Sequence, residues 1–136
     1  MIYEYDLVVP ANTLASAPAT LEMPLSRGIV VQFSAQFPGG CHGAVVVVVR
    51  RALHQVWPSN PDGQLKADAH VIVSPEGYEL LEPPFQLEAY GWSPGTTYQH
   101  TITLRFALQT PEQLQPTTRS DTIIDRLGAL ILGRRL

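Results

Sequence analysis

The chain has 136 residues, enough for one domain that buries its own core. It is 45% apolar and only 15% charged, too apolar for a disordered chain, and 12 Pro with 10 Gly promise many turns. The net charge is −3 and Lys66 is the only lysine, so no basic stripe offers itself to nucleic acid; Cys41 stands alone, which excludes an intrachain disulfide.

Residues 2–9 alternate, with Tyr3, Tyr5, Leu7 and Val9 on one face against Glu4 and Asp6, and predict a half-buried strand ended by Pro10. The same acids in MIYEYDLVV argue against a signal peptide. Thr20 to Pro24 alternates around Leu21 and Met23, and Pro24 suits an edge strand or a strand end. Residues 29–37 place Ile29, Val31, Phe33, Ala35 and Phe37 on one face and Gln32, Ser34 and Gln36 on the other. After Pro38-Gly39-Gly40, the β-branched run Ala44 to Val49 reads as a central strand covered on both faces, and is far too short to span a bilayer. The phase blurs at Arg50-Arg51, which predicts a bulge or bend, with a short helix over 51–57 as the second choice.

Asn60-Pro61-Asp62-Gly63 predicts a turn in which Gly63 supplies a positive φ. His70 to Ser74 is a strand with Val71 and Val73 on one side, Pro75-Glu76-Gly77 a tight turn, and Tyr78 to Leu81 a short strand. Phe85, Leu87 and Ala89 alternate with Gln86, Glu88 and Tyr90, and Ser93-Pro94-Gly95 turns the chain. The last strand, 98–108, sets Tyr98, His100, Ile102, Leu104, Phe106 and Leu108 on one face. About eight short strands at close spacing predict an all-β fold, an antiparallel β-sandwich of jelly-roll-like form spanning residues 1–108.

Residues 109–119 form a polar, proline-containing linker. Residues 120–136 form a helical arm, capped by Ser120 or Asp121, with Ile123, Ile124, Leu127, Leu130 and Ile131 at helical spacing. About a dozen residues are marginal as a helix alone in water, so the stripe needs a surface. A tethered apolar stripe is a helix-in-groove ligand, and these five residues are the predicted partner-docking set. Docking on the chain's own domain is the alternative.

Chemistry is harder to find. Cys41 beside His42 in GGCHG suggests a nucleophile pair or metal ligands, but neighbours on an extended chain point apart, and no CxxC or HxxxH spacing supports them. A loop with a small buried thiol is the simpler reading. His42, His54, His70 and His100 are scattered, and Glu76, Glu79, Glu82 and Glu88 read as a solvated face. The sequence therefore predicts no catalytic residues, no cofactor and no metal. Trp57, Tyr90 and Trp92 are the candidate interface or ligand aromatics, accompanied by Tyr78 and Tyr98 near strand ends.

The segments QVWPSNPDG, YELLEPPFQLEAYGW and YQHTITLRF, with VPANT and FPGGCHG, resemble a group of uncharacterised small β-sandwich proteins encoded among the virion structural genes of tailed viruses and prophages. The resemblance covers about residues 5–106 and omits the arm. It implies a virion component made in the host cytoplasm, either a capsid decoration or cement protein or a head-tail connecting component. Its implied partners are other copies of itself and a capsid or tail protein, with no nucleic acid and no membrane. A carbohydrate-binding or host-attachment module is the runner-up, and a small metal-dependent enzyme comes last.

Overall fold

The computed structural model describes residues 1–114. It contains eight strands, β1 (Ile2–Val9), β2 (Ala19–Pro24), β3 (Gly28–Phe37), β4 (Val46–Arg51), β5 (His54–Trp57), β6 (His70–Leu80), β7 (Gln86–Trp92) and β8 (His100–Gln109), and a single-turn helix α1 (Pro111–Leu114). They form two four-stranded antiparallel sheets, ordered β1-β8-β3-β6 and β2-β7-β4-β5. Strands consecutive in the chain mostly alternate between the sheets, which is jelly-roll connectivity. The expected all-β antiparallel sandwich is the fold.

Period-two patterning explains most of the packing. Leu7 and Val9 of β1, Leu87 and Ala89 of β7, and Ile102, Leu104, Phe106 and Leu108 of β8 all point into the core. Val45 to Val49 are buried on both faces, as a central strand requires. An aromatic cluster joins the sheets. Trp57 from β5 stacks on Phe33 from β3 at 4.7 Å and 9°, and Phe106 and Tyr78 pack against Trp57 at 5.8 and 5.5 Å.

Several expectations are corrected by register. Ile29 and Val31 do not lead β3 into the core; Val30 does. Val30 pairs with Leu108 and Gln32 with Ala107, so Val31 is an extra residue that shifts the inward phase by one. Pro75-Glu76-Gly77 makes no turn, because β6 runs unbroken through it. β6 is an edge strand, where proline is tolerated, and the irregularity opposite Val31 absorbs the segment. The irregularity expected near Arg50 is present: Val49 pairs with Trp57 and Arg50 with Gln55, leaving Val56 as the extra residue. The region 51–57 is the end of a hairpin rather than a helix, with Ala52 at φ 55° in its turn.

Gly63 closes its turn by donating to Asn60 O at 2.8 Å, yet its φ is not positive. Space is the reason for glycine there: a Cβ would lie 2.5 Å from Asn60 Oδ1 and 2.8 Å from Pro58 Cβ. Tyr98 lies outside β8 and is exposed. The polar linker also starts later than expected, since Gln109 belongs to β8 and α1 follows. Thr110 Oγ1 accepts from Gln113 N at 3.2 Å and Gln113 Oε1 accepts from Thr110 N at 2.8 Å, a capping box with Pro111 at the first helical position. The arm residues Ile123, Ile124, Leu127, Leu130 and Ile131 lie outside the described residues.

Gly91 of β7 lies against the facing sheet, where a Cβ would come within 2.8 Å of Val9 Cγ2 and 2.9 Å of Leu7 Cδ2. Gly91→Val is expected to destabilise the fold by about 1–3 kcal/mol through overpacking, read as a lower denaturant midpoint in urea unfolding.

Candidate functional site

The FPGGCHG segment forms one wall of a cleft of about 230 Å³ at one end of the sandwich, lined by Gly40, Cys41, His42, Thr96, Tyr98 and His100 among others. The local sequence explains the loop. Gly40 and Gly43 take positive φ values of 99° and 72°, and His42 between them takes 50°. Asp68, from the connection into β6, ties the loop down. Its Oδ1 accepts from Gly40 N at 2.9 Å and His42 N at 3.1 Å, and the His42 ring lies 3.6 Å from Oδ2. The backbone N–H of His42 is the main cause holding the Asp68 carboxyl below its ordinary range, with the Gly40 N–H, the charge of His42 and the Cys41 N–H adding to it.

Cys41 and His42 part company, though through a turn with His42 at positive φ rather than through extended geometry: the thiol is buried and the imidazole exposed. Burial, reinforced by the charge of Asp68, pushes the Cys41 thiol up. That is the opposite of the shift that activates a cysteine nucleophile. His100, on the first residue of β8, is 4% exposed. Its Nε2 lies 3.3 Å from Gly40 O, so Nε2 carries the proton, while buried Nδ1 has no partner. The Tyr98 ring caps it at 4.7 Å. The cleft thus presents a buried thiol, the imidazoles of His42 and His100 and the Tyr98 phenol.

The remaining candidates are dispersed. Trp57 is not a surface aromatic; it is in the core against Phe33, because the extra residue in β5 turns it inward. Tyr90 and Trp92 sit on the outer face of β7, half-buried, and the Arg50 guanidinium covers the Tyr90 ring at 4.8 Å. His54 and His70 are exposed on separate strands. Glu76 departs from the expected solvated face: it lies on the inner row of β6, at the seam between the free edges of β5 and β6, bonded by the Ser74 hydroxyl at 2.6 Å. Among the described residues no group of three His, Cys, Asp or Glu is placed to hold a metal ion. No described helix is long and apolar enough to cross a membrane.

Two side chains that organise the loops were not singled out in the sequence. Asp68 is one. Arg51 is the other: it donates to the carbonyls of Pro84, Glu79 and Glu82 and lies against the Tyr78 ring. A lone Asp before Ala-His, and an Arg in an apolar strand, carry no local signal of such distant partners.

No family model matches the chain, and no curated protein matches it. Among solved structures, it is similar to a family two carbohydrate esterase from Cellvibrio japonicus, at 14% identity and a TM-score of 0.35. That match covers 80% of this chain and 35% of the esterase, so the chain spans about a third of the protein it matches. A likeness this slight carries no argument about fold or activity.

Asp68 has a depressed folded-state pKa, so its stabilisation of the loop is fully present above the unfolded carboxylate value, about 3.9. It is lost as pH falls through the lower folded value. The Gly40 amide shift in an NMR titration should therefore show a transition with its midpoint below the ordinary carboxylate value, and Asp68→Asn should remove it.

Proposed function

We propose that this protein is a virion structural component of a tailed virus, working through protein–protein assembly rather than catalysis. The observation that carries the reading is the strand order β1-β8-β3-β6 and β2-β7-β4-β5. Viral capsid domains are built on this arrangement, an analogy of fold alone. The resemblance of residues 5–106 to proteins encoded among virion structural genes supports the same reading. So does the division of labour along the chain. Residues 7–108 supply a core in which Phe33, Phe37, Phe106, Leu104 and others are almost wholly shielded, whereas the apolar stripe of residues 123–131 is carried beyond them on a polar linker. The raised Cys41 thiol argues against a cysteine nucleophile in the cleft.

The assembly reading predicts that the chain self-associates, and that truncation after Leu114 leaves the β-sandwich folded but lowers the particle mass measured by light scattering. An unchanged mass after truncation defeats it.

The alternative is a carbohydrate-binding or host-attachment module, since lectin domains share this architecture. Half-buried Trp92 and exposed Tyr98 support it; Trp57, inside the core, does not. It predicts glycan-array binding that disappears on Trp92→Ala while the thermal unfolding midpoint stays put. Absence of binding by the wild-type chain removes this alternative.

A further inference from the structure

The outer row of β6 is an apolar ledge that ends in acid. Val71, Val73, Pro75 and Gly77 follow one another along it, all exposed, with Val71 at 40% and Val73 at 55%. A Cβ at Gly77 would meet nothing within 4 Å. Glu79 completes the row and Glu82 lies just beyond it. β6 is paired on one side only, by β3, so the ledge runs along a free sheet edge. Arg51 bonds the backbone carbonyls of Glu79 and Glu82. Neither carboxylate has an ion-pair partner among the described residues.

The sequence beyond residue 114 has the complementary order. Its apolar residues, 123–131, come first, and Arg134 and Arg135 follow. Residues 115–136 hold four arginines against two aspartates, a net of +2, which leaves −5 on residues 1–114 out of the total of −3. We infer that the β6 ledge of one copy accepts residues 120–136 of another, apolar stripe on Val71 and Val73, arginines on Glu79 and Glu82. This deepens the assembly reading above and rests on it. The lengths agree. Val73 to Glu79 is about 20 Å of strand. Ile123 to Arg134 is about 17 Å at the helical rise its pattern predicts, and an arginine side chain adds several more.

Polarity favours a second copy as the occupant. The chain leaves the sandwich at Gln109, level with Ile29, which is itself level with Glu79. That is two strand spacings, about 10 Å, from the acidic end of the ledge. Running along its own β6 from there, the arm would lay its apolar residues near Glu79 and its arginines near Val71, the wrong way round. Reversing it would need Ser120 to start near Val71, about 28 Å from Gln109; Thr110 and the single turn of α1 add at most about 10 Å and the six steps from Leu114 about 22 Å, so the arm reaches its own ledge that way round only with the linker almost fully extended. An arm arriving from a neighbour meets no such limit. Pro75, with no N–H, also discourages a strand from adding to this edge, which favours an occupant that contributes side chains.

The test uses the full chain and its solution mass. Val73→Asp, and separately Glu79→Arg with Glu82→Arg, should drop the assembled mass toward the 14.9 kDa of one chain with the β circular dichroism retained. Adding Arg134→Glu and Arg135→Glu to the reversed ledge should restore assembly, which a misfolded ledge would not allow. If both ledge variants assemble like wild type while truncation after Leu114 dissociates the particle, the ledge is not the acceptor and the assembly reading stands. If full and truncated chains are both monomeric, both readings fall together.

Discussion

The stack of Trp57 on Phe33 is the contact on which the two-sheet architecture rests. β5 is only four residues long and forms the free edge of its sheet, so its backbone ladder alone holds it weakly. What anchors it is a large aromatic side chain thrust between the sheets, meeting Phe33, Phe106 and Tyr78 at once. Aromatic pairs in these offset and tilted geometries contribute beyond their buried area. Arg51, three residues before β5 starts, reinforces the same corner from outside. It spans from the second sheet to the β6–β7 connection and lies against the outer part of Tyr78. The open seam between β5 and β6 is thereby fixed in width, and the ledge on β6 is held at a defined distance from the rest of the surface.

The fold was legible because a strand with one buried face writes that fact into every second residue. β1, β7 and β8 alternate without interruption, and each was placed within a residue or two of its true ends. The failures cluster where a ladder carries an extra residue. Val31 reversed the phase at the start of β3, and Val56 is a second extra residue, beside the buried Trp57. A bulge is a relation between two strands, so one strand's alternation cannot reveal it. Pro75-Glu76-Gly77 misled for a related reason. Its composition is that of a turn, but an edge strand has no second neighbour to demand the missing N–H.

The cleft was half legible. Its glycines and the buried thiol of Cys41 were readable from FPGGCHG; the separation of Cys41 from His42 was expected from extended geometry but arises in a positive-φ turn. Asp68, which ties down the cleft's loop, and His100, which lines it, were not readable, since they come 28 and 60 residues downstream of their Gly40 contacts. The capping box at Thr110 and Gln113 was visible in the letters TPEQ, but the surrounding polarity concealed it.

The pairing of the first strand with the last has a consequence for how the chain acquires its shape. β8 lies between β1 and β3, and Met1 exchanges hydrogen bonds with Leu108 across a separation of 107 residues. Until β8 is made, β1 has no ladder neighbour in its sheet and β3 has only β6. A nascent chain leaving the ribosome must therefore carry β1 without its ladder partner until β8 has been made. Cooperative closure waits for residues 100–109, and such long-range pairing sets a slow pace for the entire β domain.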